Sequence, residues 1–221
     1  MMAVFEKSQR LRHIGHLDIM RAMQRALRRS GLPVSYSQGF NPHILLTFAS
    51  PLSVGAVGKR ELMDVTLDEE VAPDAFLAAM NKALPPEMPL LSARVLADKH
   101  PALMAMVRAA RYDIQLCSAD AAARCEAALP GFLAQESIMA MRKTKSGEKE
   151  TDIRPLIHAL TCSDGHLRAT LALTESVSCK PDMLVGALCA FADCETPRVM
   201  VVREGLLGED SQGRLAPLET L

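Results

Sequence analysis

The stretch MAVFEKSQRLRHIGHLDIMRAMQRALRRSGLP, residues 2–33, predicts a β-strand followed by a long amphipathic helix. Apolar and polar residues alternate over residues 2–7, as they do in a strand with one buried face. The helix is predicted over residues 16–30, because Gly31 and Pro33 form a typical stop signal. At about 100° per residue, the apolar side of this helix comprises Ile19, Met20, Met23, Ala26 and Leu27.

The order of predicted elements in residues 1–107 is strand, helix, strand, strand, helix, strand, which is typical of a ferredoxin-like fold. A similar order recurs in residues 108–207, although no sequence repeat is visible. There a strand is predicted over residues 137–145 and a short helix over residues 152–160. The predicted fold class is therefore α+β, with two ferredoxin-like (βαββαβ) halves in tandem and a tail at 208–221.

The composition is that of a globular protein, with 49% hydrophobic and 23% charged residues among 221 and a formal net charge of −1. The six cysteines contain no CxxC pattern, so the sequence predicts neither a metal site nor a cofactor. Reduced, mostly buried thiols are expected, and Cys189 and Cys194 are expected to meet only by accident. No apolar run reaches the roughly 20 residues of a membrane span, and a cytoplasmic protein is predicted.

Arginines dominate the other side of the first helix, where Asp18 is the acidic neighbour. Arginine donates paired, charge-assisted hydrogen bonds that match phosphate oxygens, so this face is a candidate nucleic-acid surface. A second basic cluster is predicted in an apparent hairpin around residues 142–149. The candidate phosphate-binding residues are Lys7, Arg10, Arg12, Arg21, Arg25, Arg28 and Arg29 in the first cluster, and Arg142, Lys143, Lys145 and Lys149 in the second.

The motif SQGFNPH, residues 37–43, predicts an exposed turn, because Gly39 allows positive φ and Pro42 fixes the backbone after Asn41. Such a turn can present Gln38, Asn41 and His43 to a phosphate, a base edge or a partner loop. Simple turn chemistry is the alternative. The residues assigned structural roles are Gly15 as the N-cap of the first helix, Asp18 in its first turn, Gly39, Pro42, Asp152 and Arg154.

Three histidines are candidates for general acid–base chemistry, because histidine titrates near neutral pH. These are His13, His16 and His43. His16 projects towards the apolar side of its helix, which favours a structural role for it. No nucleotide-binding loop, Ser-His-Asp order or metal triad can be recognised, so catalysis by the chain itself is the weaker interpretation.

These stretches together resemble the family of radical-SAM-associated proteins of unknown function, in its stand-alone form. The segments that carry the resemblance are RLRHIGHLDIMRAMQRALRRSGLPVSYSQGFNPH from residue 10, FASPLSVG from residue 48, ELMDV from residue 61 and RKTKSGEKETDIRPLI from residue 142. The chain departs from the family pattern at Gly15, where the family usually has serine. It departs again at Ile44 and Leu45, where the family usually has proline and a basic residue.

The resemblance implies an accessory protein that acts beside a separate radical SAM enzyme, with tRNA or rRNA as the expected substrate class. The leading hypothesis is an RNA-binding or substrate-presenting module that is not catalytic by itself. One alternative is a metal-independent endoribonuclease-like enzyme that uses the three histidines, by analogy of fold with CRISPR-repeat endoribonucleases. The other is a protein–protein adaptor without RNA.

Overall fold

The computed structural model describes residues 1–97, 99–144 and 147–221. Within these residues the chain is a mixed α+β protein with five α-helices and mostly antiparallel strand pairing. It divides into two compact units, which are described separately. The first unit comprises residues 1–107 with 208–221, and the second comprises residues 108–207.

In the first unit two helices cover one face of an antiparallel sheet. The strand order is β4-β1-β3, and β2 also pairs with β3. The core between helices and sheet contains Phe5, Met23, Leu27, Met63 and Phe76. The elements are β1 (Met2–Lys7), α1 (His16–Ser30), β2 (Leu46–Phe48), β3 (Ala56–Val65), α2 (Pro73–Ala83), β4 (Leu90–Arg94) and the short α3 (Leu103–Met106).

The C-terminal segment of the chain also belongs to the first unit. It forms a short strand, β11 (Leu215–Pro217), and a single 3-10 turn over Leu218–Thr220. Leu218 is completely buried, and the Glu219 carboxylate accepts a hydrogen bond of 2.8 Å from Arg60 Nε. The segment that the sequence assigns to a tail is therefore packed.

In the second unit the strand order is β10-β5-β9-β8, and a separate two-stranded hairpin joins β6 and β7. Helices α4 and α5 contact each other, with Phe132 and Phe191 edge to face at a centroid distance of 5.7 Å. The elements are β5 (Ala109–Leu116), α4 (Ala119–Leu133), β6 (Met139–Thr144), β7 (Gly147–Asp152), β8 (Ile157–Ser163), β9 (His166–Ala172), α5 (Pro181–Phe191) and β10 (Val199–Glu209).

The prediction of a helix over residues 152–160 is wrong. Only a 3-10 turn, Arg154–Leu156, precedes β8, which pairs with β9 from Ile157 to Ser163. Ile157 and Leu160 are both buried although they are three positions apart, because the register with β9 is irregular between Ile157 and Ala159. The neighbour of β9 is therefore β8, and the predicted strand at 137–145 pairs in the hairpin instead.

None of the helices in the described ranges combines the length and apolar character that a membrane span needs.

Candidate nucleic-acid interface

Helix α1 forms where the sequence predicts it, from His16 to Ser30. Gly15 is the N-cap, and Asp18 lies in the first turn, where a carboxylate favours the positive end of the helix dipole. The helix ends at Gly31, whose φ of 74° is the left-handed conformation that glycine adopts without a Cβ clash. Its buried residues recur at helical spacing and are Ile19, Met23, Ala26 and Leu27.

The opposite face of α1 carries its arginines, all of which are exposed. Arg21 pairs with Asp18 at 3.0 Å, and Arg29 donates to the carbonyl oxygen of Ala83 at 2.7 Å. For Arg25 and Arg28, no hydrogen bond or ion pair with any other described residue is found. These two guanidinium groups stand three positions apart, so they are neighbours on the helix surface. Their donors are available to an external anion.

The two arginines that precede α1 differ in their surroundings. Arg10 is 84% exposed in its side chain and pairs with Glu87 at 3.2 Å, an ion pair of little energetic weight in water. The Arg12 side chain is half-buried, and the Arg12 carbonyl oxygen accepts hydrogen bonds from Gly55 N and Lys7 Nζ. Arg10 therefore remains in the candidate surface with a partly neutralised charge.

Lys7 does not belong to the exposed basic surface, so its prediction as a phosphate contact is wrong. Only 2% of Lys7 is exposed, and its ammonium donates to the carbonyl oxygens of Arg12 at 3.1 Å and Ala56 at 3.3 Å. The cause is strand geometry. Residues two positions apart share a face of a strand, so Lys7 follows Phe5 onto the helix-covered face. A shift in register between these two residues marks an irregularity in the ladder with β3.

A small cavity lies beside the N-terminus of α1 and is lined by residues that include Lys7, His16, Ser50 and Glu61. Glu61 is only 3% exposed, and Gly58 leaves room for it, because a Cβ there would lie 2.5 Å from Glu61 Cγ. The cavity volume is about 10 Å³, which holds roughly one water molecule. It is too small for a nucleobase or a sugar. Its polar lining is structural rather than a substrate pocket.

The SQGFNPH segment forms a hairpin-like loop closed by an isolated bridge between Tyr36 and Ile44. Ser37 N donates to the His43 carbonyl oxygen at 2.8 Å, and His43 N donates to Ser37 Oγ at 3.1 Å. Ser37 Oγ also lies 2.8 Å from His43 Nδ1. Gly39 has a φ of 127°, so the predicted positive φ is confirmed. Gln38, Asn41, Pro42 and His43 are all exposed.

Phe40 stands at the tip of this loop and is fully exposed, at 105% of its reference area. Sequence reasoning missed this residue, because the scarcity of aromatic residues argued against base stacking. The available signal was its place between Gly39 and Asn41, two residues that favour turns. The exposure of an aromatic ring to water is unfavourable in free energy. A base or a protein side chain that covers the ring removes this cost.

The three candidate histidines have different surroundings. The ring of His16 packs edge to face on the ring of Phe48, the last residue of β2, at a centroid distance of 5.3 Å. His43 precedes β2 and faces Ser37. The two rings therefore have different side-chain neighbours. His13 is exposed in the loop before α1.

The second basic cluster lies on the hairpin of β6 and β7. Arg142 and Lys149 are directly opposite each other across the two strands, and Lys149 is exposed. Lys145 and the side chain of Lys143 lie outside the described part of the structure. Within the described residues, the hairpin therefore places the cations Arg142 and Lys149 side by side.

Asp152 and Arg154 anchor the base of this hairpin. Asp152 Oδ1 accepts hydrogen bonds of 2.9 Å from the backbone amides of Ile138 and Arg154. These two donors lower the pKa of Asp152, because they stabilise its carboxylate. Arg154 Nε donates to the Leu133 carbonyl oxygen at 3.2 Å. Both side chains are engaged within the unit.

Comparison with known proteins gives a family without an assigned activity. No curated protein matches the chain. A family model described as "Uncharacterized protein conserved in bacteria (DUF2344)" matches residues 1–185. The matched part contains α1, the SQGFNPH loop and the basic hairpin, and it extends into α5. The chain belongs to this conserved bacterial family.

Proposed function

We propose that the chain is an RNA-binding or substrate-presenting module, not catalytic by itself, that acts in the cytoplasm with a separate radical SAM enzyme. The observation that carries the proposal is the pair of exposed arginines, Arg25 and Arg28, which have no carboxylate partner among the described residues. A protein with a net charge of −1 that keeps two neighbouring guanidinium groups unpaired has a local anion-receptive surface.

The loop tipped by Phe40 lies at the same end of the first unit as the C-terminal half of α1. The N-terminus of α1 is beside the end of β2, since His16 contacts Phe48. The helix ends at Gly31, and Val34, three residues later, bridges to Leu67, two residues beyond Val65, which pairs with Leu46 at the start of β2. Arg28 is close to this end of the helix.

An exposed aromatic ring near free arginines is the combination that proteins use for single-stranded nucleic acid. Arginine forks bind backbone phosphates, and a ring such as that of Phe40 stacks on an unpaired base. Stacking of this kind contributes about 1–3 kcal/mol per base. Gln38 and Asn41 lie within two residues of Phe40 and can reach the edge of a stacked base.

Each strand order supports the further proposal that both units are ferredoxin-like. The spatial order of strands is β4-β1-β3-β2 in the first unit and β10-β5-β9-β8 in the second. If β5, β8, β9 and β10 correspond to β1, β2, β3 and β4, the two orders are the same. In this comparison β8 is the second strand, and the hairpin of β6 and β7 is an insertion after α4. Ferredoxin-like sheets recur in RNA-binding modules.

The radical SAM partner rests on the resemblance of the segments around residues 10–43 and 142–157. The chain has no CxxxCxxC motif for the cluster of such enzymes, so it would supply the substrate-binding part. Co-expression with a separately encoded radical SAM protein, followed by nuclease treatment and co-purification, tests this assignment. Recovery of the chain alone would contradict it.

RNA binding is tested by fluorescence anisotropy with a labelled single-stranded RNA over a series of salt concentrations. We expect the R25A/R28A double variant to bind more weakly and to reduce the slope of log affinity against log salt by about 1.4, since each single-strand phosphate contact contributes about 0.7. F40A should weaken binding with an unchanged slope. R168A is the matched control, because Arg168 is an exposed arginine of the second unit that bonds to Ser163 Oγ.

A salt-independent affinity, or an equal loss in all three variants, would overturn the RNA proposal. If RNA binding is absent and a protein partner is still retained after nuclease treatment, the chain is an adaptor. Cleavage of the RNA probe by the wild-type protein, abolished by His16→Ala, would make it an enzyme.

A further inference from the structure

Three thiols of the second unit converge at the contact between α4 and α5. Cys125 lies on α4, Cys189 on α5, and Cys194 follows the end of α5. Their sulfur atoms all lie within 4.8 Å of one another, and Cys125 Sγ is 3.8 Å from Cys189 Sγ. Cys125 and Cys189 are completely buried, whereas Cys194 is partly exposed. The expectation that Cys189 and Cys194 meet only by accident is wrong, because a defined turn brings them together.

The turn after α5 explains how residues five positions apart meet. Asp193 has a φ of 51°, a left-handed conformation that is uncommon outside glycine. It reverses the chain so that Cys194 N donates to the Cys189 carbonyl oxygen at 3.0 Å. Arg124 of α4 donates to the Asp193 carbonyl oxygen at 3.1 Å and so ties this turn to the helix that carries Cys125. Three segments thus hold the thiols in place.

The cluster has a route to solvent on the side of Cys194. That residue lines an open pocket of about 310 Å³ together with Asp120, Arg124, Asp193 and Glu195. The pocket carries three carboxylates and one guanidinium group, and Arg124 pairs with Asp120 at 3.1 Å. A cation can therefore approach through a surface that is acidic on balance, and the open side leaves room for a further ligand.

We propose that Cys125, Cys189 and Cys194 bind one thiophilic d10 metal ion of the class of copper(I) and zinc(II). Three sulfur donors and no nearby imidazole in the cluster select soft metals over magnesium or calcium. With metal–sulfur bonds of about 2.3 Å, sulfur atoms in a tetrahedral site are about 3.8 Å apart. The pair Cys125–Cys189 already has this separation, and the remaining pairs need to close by no more than about 1 Å.

The chemistry of binding is a simple exchange. Each thiol that becomes a ligand replaces its S–H bond with a sulfur–metal bond and releases one proton to solvent. No oxidation takes place, and the metal keeps its charge state. The competing reaction is a disulfide, which needs sulfur atoms at about 2.05 Å and an external oxidant.

The test uses the full chain, reduced and freed of metal, in two titrations. Copper(I) is added in competition with a chromogenic copper(I) chelator, and zinc(II) in competition with a zinc-responsive dye. Ultraviolet absorption from thiolate-to-metal charge transfer is recorded during the copper titration. We expect one equivalent of at least one of these ions to bind, with the loss of that equivalent in C194S and C189S.

C117S and C179S are the matched controls, because those cysteines lie outside the cluster. The partly exposed position of Cys194 makes C194S the variant most certain to fold, and thermal unfolding of all variants checks this. Binding of one equivalent by the wild type and by C194S alike would overturn the proposal. It would also be overturned by no binding of either ion, including the case in which a mild oxidant instead links two of the three cysteines.

Discussion

The two units share an order of strands but bury different polar chemistry beneath their helices. The first unit buries two charged side chains, Lys7 and Glu61, on the helix-covered face of its sheet. The second buries one charged side chain, Arg203 of β10, and also the thiols Cys125 and Cys189, where α4 contacts α5. The first also leaves cations free on α1, whereas the second has two opposed cations, Arg142 and Lys149, on the hairpin of β6 and β7. The two units therefore share the spatial order of their strands. The side chains on and between their helices determine what each unit can bind.

The largest expected effect is the loss of stability when the buried charge of the first unit is removed. Lys7→Met should lower the free energy of unfolding by about 3 kcal/mol, because the buried carbonyl oxygens of Arg12 and Ala56 lose a charged donor. Urea unfolding measures the change. Lys59→Met is the matched control, since Lys59 is an exposed lysine paired with Glu6, and it should change stability by about 0.5 kcal/mol or less. Equal effects of the two variants would contradict the structural role of Lys7.

The buried thiols of the second unit should react much more slowly than its exposed thiol. Burial, together with the nearby Asp182 carboxylate, raises the pKa of Cys179 to about 12, so few of these groups are thiolates at neutral pH. Higher nucleophilicity offsets part of this effect. We expect alkylation of Cys179 in the native protein to be at least about tenfold slower than alkylation of the exposed Cys117. Peptide mass spectrometry over time measures both rates, and similar rates would contradict the burial of Cys179.

Two glycines test the comparison further, because replacing each by alanine should change the stability of the protein in opposite directions. Gly31→Ala should destabilise the protein by about 1 kcal/mol, since its φ of 74° disfavours any residue with a Cβ. Gly186→Ala, inside α5, should stabilise it by up to about 1 kcal/mol, because alanine favours a helix and its Cβ meets no atom within 4 Å. Thermal unfolding of both variants measures the difference. A shift of the same sign in both would contradict one of the two backbone conformations.

The smallest effect expected is a pH dependence from the hairpin of the second unit. The pKa of Asp152 is lowered in the folded state by two backbone amides, so its carboxylate stabilises the fold above the ordinary pKa of 3.8. That contribution is lost as the pH falls through the lower, folded-state pKa. The difference in urea midpoint between wild type and Asp152→Asn should therefore be larger at pH 7 than at a pH below the folded-state value. Glu136→Gln, a change at an exposed carboxylate, should show no such trend.

Local signals in the sequence were sufficient for α1, because its two ends and its buried side are fixed by residues within the segment. Gly15, Gly31 and the apolar spacing predict the observed bounds. The burial of Lys7 was not predictable in the same way. It also needs an acceptor for the ammonium group, and one of the two acceptors is the Ala56 carbonyl oxygen, 49 positions away in the chain.

Contacts between distant segments also explain why the sequence did not predict the thiol cluster or the strand β8. Cys125 and Cys189 are 64 positions apart and meet only because α4 packs on α5. The strand β8 gains its form from pairing with β9, whereas its sequence, read by itself after Pro155, also fits a short helix. Where the decisive contact is long-range, propensity alone gives the wrong answer.

The bare ring of Phe40 has one further consequence for experiment. The chain contains no tryptophan, so an indole placed there by Phe40→Trp would be its single strong fluorophore, held at the tip of a fixed turn and surrounded by solvent. The wavelength of its emission maximum would shift when a partner covers that tip. In the purified protein, binding of a partner at this tip could thus be followed through one residue, without an attached dye.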